Sequence, residues 1–442
     1  MVKVALISLG CNKNLVDSEM ILGLLAKHGY QITDDETEAD VIIVNTCAFI
    51  HDAKQESINK IIEVGKLKED NCKAVIVTGC LAKRYEKEIK EALPEVDRVV
   101  MINDNEAIID YIDEVIPNDS DKSVRSISYG ERIRATAPHS AYVKIADGCN
   151  NHCTYCVIPA IRGEYKSRTM EDIEEEVRTL VNDGVTEVIL TAQDTTYYGL
   201  DIYGKRCLAD LIKKLRDIEG IHWLRFQYAY PEGITDELLE VVKETKIAVP
   251  YFDIPIQHCN NEILKLMGRK TSKEAILELI KKIRNNIPEA ILRTSLIVGF
   301  PGETQEQFEE LADFVKEVRF DKLGVFAYSK EEGTGAARMK GQILKFVKNK
   351  RRNKIMEIQQ SVSYQKNQEK IGQEIEVLVE GKLPDGTFFG RTYQDSPEID
   401  GLAFMEAERD LVLGEYYPTK IIDAKEYDVI TTLAESKENV IL

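Results

Sequence analysis

Three cysteines fall within eight residues in Cys149-Asn150-Asn151-His152-Cys153-Thr154-Tyr155-Cys156, spaced C-x3-C-x2-C. Iron-sulfur clusters are normally held by four cysteine thiolates. A loop with three leaves one iron of a [4Fe-4S] cluster open to a substrate or cofactor, much as a catalytic metal site keeps one position open. Zinc would need a fourth ligand, and the local candidate, His152, sits inside the loop where its reach is poor. A disulfide is disfavoured, because the chain shows no apolar signal segment at its start and a cytosolic protein keeps its thiols reduced.

A second set of three comes from position rather than spacing. Residues 2–8, 41–44 and 74–77 are apolar, β-rich runs followed by helix-like stretches, and they lead into Gly10-Cys11, Asn45-Thr46-Cys47 and Thr78-Gly79-Cys80. Strands alternating with helices argue a parallel sheet, and the carboxyl ends of such strands line one crevice. Cys11, Cys47 and Cys80 are therefore expected at one sheet edge as a second three-thiolate site, although burial in a core is the ordinary fate of any single free cysteine. Cys72, Cys207 and Cys259 have no such placement and read as structural.

The elements that must position these groups follow from the rest of the pattern. At 442 residues the chain has room for two or three domains. Its 43% apolar and 30% charged composition is that of a soluble globular protein, and no apolar run reaches the length of a membrane span, so a cytoplasmic protein without membrane contact is expected. The formal net charge of −18 argues against general affinity for phosphate backbones and favours a basic partner. Residues 103–138, with Asp119, Asp121 and Lys122 among them, lack a sustained apolar period and read as a linker.

Beyond it, apolar runs at 142–145, 187–192, 223–228, 251–256, 292–298 and 323–328 alternate with helical patterns, which fits an open (βα)6 partial barrel better than a closed eightfold one. The cysteine loop then lies just past the carboxyl end of the first of these strands, the edge that carries chemistry in barrel folds. Ile297-Val298-Gly299-Phe300-Pro301-Gly302-Glu303-Thr304 puts Gly299 and Gly302 at a strand end, where bare backbone can approach a cofactor, although such turns are common. Gln193, in Leu190-Thr191-Ala192-Gln193-Asp194-Thr195, leaves another strand end among side chains that either face a cavity or cap the next helix. Residues 341–370 read as one long helix richer in bases than acids. From 371, short alternating runs at 374–378, 387–393 and 415–422 predict a small all-β module. It carries six Lys and Arg against sixteen Asp and Glu, a balance of −10 that does not suit RNA.

Together with Gly10-Cys11-Asn12-Lys13-Asn14-Leu15-Val16-Asp17-Ser18-Glu19, Gln193-Asp194-Thr195, Asp253-Ile254-Pro255-Ile256-Gln257-His258 and Glu331-Glu332-Gly333-Thr334, these features resemble the methylthiotransferases of the radical S-adenosylmethionine (SAM) superfamily along essentially the whole chain. Within them the chain resembles the branch that modifies a ribosomal protein. The resemblance implies an α/β fold in three parts: an amino-terminal parallel-sheet domain with three cysteines at 1–118, a radical-SAM core built as an open (βα)6 partial barrel at 135–366, and a small all-β TRAM barrel at 369–442. It also implies two [4Fe-4S] clusters, on Cys11, Cys47 and Cys80 and on Cys149, Cys153 and Cys156, with SAM bound by Tyr155, Gln193, Gly299 and Gly302. The reaction it implies is insertion of a methylthio group at the β-carbon of an aspartate in protein twelve of the small ribosomal subunit, a basic protein. One SAM gives methyl, and another is cleaved to a 5′-deoxyadenosyl radical with electrons from a separate donor.

An unactivated C–H bond offers no acidic proton and no leaving group, so cofactor radical chemistry is what opens it. Two other readings stand beside this one. A tRNA adenosine methylthiotransferase is opposed by the acidic terminal module, and with it tRNA binding. A non-catalytic iron-sulfur redox protein would be served by a four-cysteine site. Gly335 departs from the proline that the family commonly carries there, and is expected to affect only a local turn. The terminal module is expected to meet the basic substrate by itself, so that its removal leaves SAM cleavage by the core largely intact.

Overall fold

The structure, a computed structural model, describes residues 2–117, 124 and 126–434. Asp119, Asp121 and Lys122 of the expected linker, and residues 435–442 of the expected terminal module, lie outside the described residues. The chain divides into two compact units, one of Met1–Thr136, Ser140–Cys207 and Ser329–Arg338, the other of Ala137–His139, Leu208–Tyr328 and Met339–Leu442.

The first unit opens with β1 (Lys3–Ser8), α1 (Asn12–Lys27), β2 (Gln31–Thr33), β3 (Val41–Thr46), α2 (His51–Gly65), β4 (Ala74–Gly79), α3 (Cys80–Arg84), α4 (Glu86–Ala92), β5 (Arg98–Val99) and α5 (Asn105–Val115). The strands pair in parallel in the order β2-β1-β3-β4-β5. Every residue of β3 and β4 is buried. That is why both run apolar without alternation, since a parallel sheet is covered on both faces. Ile42, Val44, Val75 and Val77 pack with Ile61, Val64 and Leu81, whereas Val41, Ile43 and Ile76 pack with Leu24, Leu25 and Ile108. Here the linker expectation is corrected. Ile108, Ile109 and Ile112 recur at helical spacing within α5 and are buried in the core, so part of that segment covers the sheet.

The same unit continues with β6 (Ser140–Lys144), β7 (Ala146–Asp147), α6 (Ile158–Arg162), β8 (Lys166–Ser167), α7 (Met170–Asn182) and β9 (Glu187–Thr191). β6 and β9 pair in parallel. Fully enclosed, Arg132 ties this part to the first sheet: its Nε lies 2.9 Å from Glu19 Oε2 on α1, it pairs with Glu176 on α7, and its Nη2 donates to the Tyr142 carbonyl of β6 at 2.6 Å. Burial raises the Glu19 carboxyl, and Arg132 pulls against that rise.

The second unit holds α8 (Leu208–Leu215), β10 (Trp223–Phe226), α9 (Asp236–Glu244), β11 (Tyr251–Asp253), α10 (Asn261–Leu266), α11 (Lys273–Asn286), β12 (Ile291–Val298), α12 (Gln305–Val318), β13 (Lys322–Ala327) and α13 (Lys345–Gln368). β11, β12 and β13 form a parallel sheet. β6 and β9 of the first unit and β10, β11, β12 and β13 of the second fall on the six apolar runs read from the sequence. Then β14 (Glu374–Lys382), β15 (Phe388–Thr392), β16 (Ala403–Glu406), β17 (Tyr416–Ala424) and β18 (Val429–Leu433) close into a barrel in the order β14-β15-β16-β18-β17. β16 and β18 have no counterpart among the three runs legible in the sequence.

The loop after β15 fastens this small barrel to the strands of its own unit. Lys322 Nζ lies 2.5 Å from Asp395 Oδ1, Arg293 Nε 3.7 Å from Asp400 Oδ1, and Gln227 donates to Ser396 Oγ at 2.7 Å. Arg225, also buried, donates to the Tyr393 and Thr392 carbonyls at 2.7 and 3.1 Å. Removing the module would cut these bonds and open the face that it covers, while Arg293 keeps its pairing with Asp253 at 2.8 Å. No helix among the described residues is long and apolar enough to cross a membrane.

Candidate metal centres

The distributed cysteines reach one edge of the sheet because their strands end level. Ser8 is paired with Asn45, and Asn45 with Thr78, which leaves Cys11 at the start of α1, Cys47 just past β3 and Cys80 opening α3 on one edge of the sheet. Gly10 has φ +96°, and a Cβ there would lie 2.7 Å from Cys47 Cβ and 2.9 Å from its Sγ, so only glycine lets the Cys11 turn come this close. Asn14 locks the turn by donating to the Leu9 and Thr46 carbonyls at 2.9 and 3.0 Å. Ser57 on α2 holds Cys47 from the other side, through its backbone N–H and carbonyl, both at 3.0 Å. None of the nine cysteines is in a disulfide, and Cys72, Cys207 and Cys259 are buried.

The second set is built locally. Cys149 N–H donates to the Gly163 carbonyl at 3.2 Å, Cys156 N–H to the Cys153 carbonyl at 3.0 Å, and Ile158 N–H to Cys156 Sγ at 3.4 Å. Asn151 donates to Asp194 Oδ2 at 2.8 Å, and Tyr165 N–H to Asn150 Oδ1 at 3.0 Å. Tyr155 is half-buried in the turn between the last two cysteines. The segment after β13 closes over the loop: Ala336 N–H donates to the Thr154 carbonyl at 2.8 Å, and buried Glu331 pairs with Lys54 of α2 at 2.7 Å and Arg84 of α3 at 2.9 Å. Gly335 packs beside Thr154, so the departure from the family pattern lies against the cysteine loop itself and not in a remote turn.

A buried ionic network joins the two sets. Arg162, at the end of the helix that follows Cys156, places Nη1 2.9 Å from Asp147 Oδ2 and Nη2 2.9 Å from Asp17 Oδ2. Lys144 pairs with the same two carboxylates. Burial alone would raise the Asp147 carboxyl, yet Lys144 and Arg162 bring it down to about 2. Arg162, Asp147, Lys144 and Asp17 leave only a faint mark in the sequence, a lysine inside the apolar run of β6 and three more charges close to cysteines.

The donors fit iron. Burial pushes the Cys47 and Cys149 thiols up, and takes Cys80 to about 12 against the pull of Arg162, and Cys156 likewise to about 12. Such thiols become thiolates when a metal displaces the proton. Among the described residues no three histidine, cysteine, aspartate or glutamate side chains converge as ligands of a single ion do. Cluster cysteines each take a different iron, so neighbouring thiols that stand apart remain compatible with a cluster.

Of the expected SAM contacts, Gln193 stands past β9 in the first unit. Its Nε2 donates to Asp147 Oδ1 at 2.9 Å, while its Oε1 is buried without a hydrogen-bond partner, an acceptor of the kind an ammonium group satisfies. Gly299 and Gly302 stand past β12 in the second unit, and the structure separates them. A Cβ at Gly299 (φ +71°) would lie 2.4 Å from Lys348 Cγ, so packing demands that glycine, whereas Gly302 (φ +86°) has nothing within 4 Å of a would-be Cβ. Glu303 braces the turn by accepting from the Gly299 N–H and from Arg351 at 2.7 Å, with His258 3.2 Å away.

Three family models match the chain: Uncharacterized protein family UPF0004 over residues 3–101, Radical SAM superfamily over 143–315, and TRAM domain over 371–433. A protein of Lachnoclostridium phytofermentans named ribosomal protein uS12 methylthiotransferase RimO is 50% identical over 438 residues, which covers 97% of this chain and 99% of that one. Its namesake in Thermoanaerobacter sp. is 48% identical over 440 residues, with 97% and 99% covered. Among solved structures, the cobalamin-dependent SAM radical enzyme OxsB, with aqua-cobalamin and SAM bound, matches at a TM-score of 0.50 and 12% identity over 81% of this chain and 56% of OxsB, a likeness of fold alone. With half its residues shared over nearly the full length of such relatives, the chain belongs to the RimO family of radical-SAM methylthiotransferases.

Proposed function

We propose that this protein inserts a methylthio group at the β-carbon of an aspartate in ribosomal protein uS12, the substrate in its relatives' names, using two [4Fe-4S] clusters and SAM. The observation that carries this reading is two separate three-cysteine sets within one compact unit. Cys149, Cys153 and Cys156 hold the cluster with the open iron, and Cys11, Cys47 and Cys80 hold the other. When bound, these groups supply a carbon-centred radical able to take hydrogen from an unactivated C–H bond, together with the sulfur to be transferred. The chain's own part is orientation. Asp147, kept ionised, occupies Gln193 Nε2, which fixes the amide and leaves Oε1 as an acceptor that would take an N–H of SAM when SAM is bound. Tyr155 and the backbone at Gly299 and Gly302 are proposed as further SAM contacts.

The three segments 1–118, 135–366 and 369–442 divide the work into sulfur presentation, radical generation and substrate docking. In the terminal module Asp395 and Asp400 face inward, so the charge that meets solvent is smaller than the sequence count. Among its described residues from 371 on, seven exposed carboxylates, Glu406, Glu408 and Asp410 among them, still outnumber four exposed bases. That surface suits a basic protein and opposes tRNA. The proposed setting is the cytoplasm, with electrons from a separate donor. The test is anaerobic reaction of reconstituted protein with SAM, reductant and uS12, expecting the methylthio mass on one aspartate. Unmodified uS12 with methylthiolated adenosine in tRNA would assign the chain to the tRNA-modifying branch.

A further inference from the structure

Arg162 is the cation that reaches from one cysteine set to the other. It ends α6, the helix that begins two residues after Cys156, and its side chain is only 2% exposed. Its Nη2 lies 2.5 Å from Asn14 Oδ1 and 4.0 Å from Cys80 Sγ, and Cys80 Sγ in turn lies 3.7 Å from the same Asn14 oxygen. The guanidinium is held from behind by Asp147 and Asp17, so it cannot swing away from the sulfur without breaking two buried ion pairs. Its field also reaches Cys11 and Cys47. A fixed positive charge beside a cluster sulfur favours the more negative, reduced form, and hydrogen bonds to cluster sulfurs act in the same direction.

We propose that Arg162 is a positioning residue acting through Cys80, which holds the cluster on Cys11, Cys47 and Cys80 at a higher reduction potential than its three thiolates alone would give. This inference rests on the two-cluster reading above. Lys144 and the two carboxylates complete a network of two cations and two anions, so it is the nearness of Arg162 to the sulfur, and not a local excess of charge, that sets the effect.

The test is a potentiometric titration of reconstituted full-length protein, followed by electron paramagnetic resonance. The loop cluster is identified as the signal that SAM perturbs. In Arg162→Gln the midpoint of the other cluster should move to lower potential, Arg162→Lys should stay close to wild type because it keeps the charge, and the loop cluster should not move in either. If Arg162→Gln fails to take up iron, Asp17→Asn removes one of the anions beside the guanidinium and should shift the midpoint to higher potential. The proposal is overturned by an unmoved midpoint in Arg162→Gln or Asp17→Asn, by equal shifts in the Gln and Lys variants, or by both clusters moving together as general loosening predicts. A wild-type protein showing only the SAM-sensitive cluster would instead overturn the two-cluster reading.

Discussion

The two cysteine sets arrive at the same number of thiols by opposite routes. Cys149, Cys153 and Cys156 are written into one short stretch and need a strand end, a few backbone hydrogen bonds and one helical turn. Cys11, Cys47 and Cys80 exist as a set only while three strands keep their register, so their site is as stable as the sheet and no more so. A local site tolerates loosened surroundings, whereas a distributed one reports on the whole domain. The comparison also separates two meanings of a family motif. The loop motif is the ligand set itself, but Gly10, Asn14 and Asp17 earn their places by what they bring together.

The sharpest way to break the comparison is to remove each set. Changing Cys149, Cys153 and Cys156 to Ala should abolish 5′-deoxyadenosine formation, measured by chromatography. The same change at Cys11, Cys47 and Cys80 should leave it while ending methylthio transfer. Iron should fall by half in each from about eight per chain, and loss of all iron from either would mean that the sites are not independent. Next in size is the fastening of the terminal barrel, another assembly made at long range. Asp395→Ala leaves Lys322 buried and unpaired, so a loss of about 3–5 kcal/mol in denaturant unfolding is expected. Burial favours the neutral Asp395 carboxyl, but Lys322 holds its pKa below the ordinary aspartate value. That contribution is therefore complete above the unfolded pKa of about 4 and should fade as pH falls through the lower folded value.

A smaller and more local effect is expected at Gly10. Gly10→Ala imposes left-handed strain of about 1–3 kcal/mol and a clash with Cys47, so it should deplete iron from the distributed set while SAM cleavage continues. Equal loss from both clusters would erase the distinction between local and distributed sites. The smallest is Gly302→Val, which should weaken SAM binding about tenfold, or 1.4 kcal/mol, with iron unchanged. Calorimetry showing wild-type affinity would return that glycine to an ordinary turn.

Legibility followed the same divide. The level strand ends, and with them the placing of Cys11, Cys47 and Cys80 on one sheet edge, could be read because a buried parallel strand writes itself as an apolar run and its register leaves little freedom. The six strands of the partial barrel were visible for that reason too. β16 and β18 were not: Ala403–Glu406 is four residues long, and Val429–Leu433 carries two threonines, so neither stands out from loop sequence. α5 escaped because its isoleucines stand among acids that drown a short period. Least legible was the pairing of charges. A count of −10 cannot distinguish Asp395 and Asp400, which face buried cations, from Glu406, which faces water. Nor does spacing reveal that Arg162 and Asp17, 145 positions apart, share a bond.

Arg132 carries a consequence for how the chain is made. It lies 113 positions after Glu19 and 44 before Glu176. At roughly 5–20 residues per second of synthesis, Glu19 leaves the ribosome on the order of ten seconds before its partner exists. Until then the part of α1 that carries Glu19 lacks its cover, because the Arg132 guanidinium and the Ala135 N–H that its carboxylate accepts from at 2.8 Å have not been made. The join between the first sheet and the β6–β9 part therefore forms only once Glu176 is in place, after Cys149, Cys153 and Cys156 have also been made.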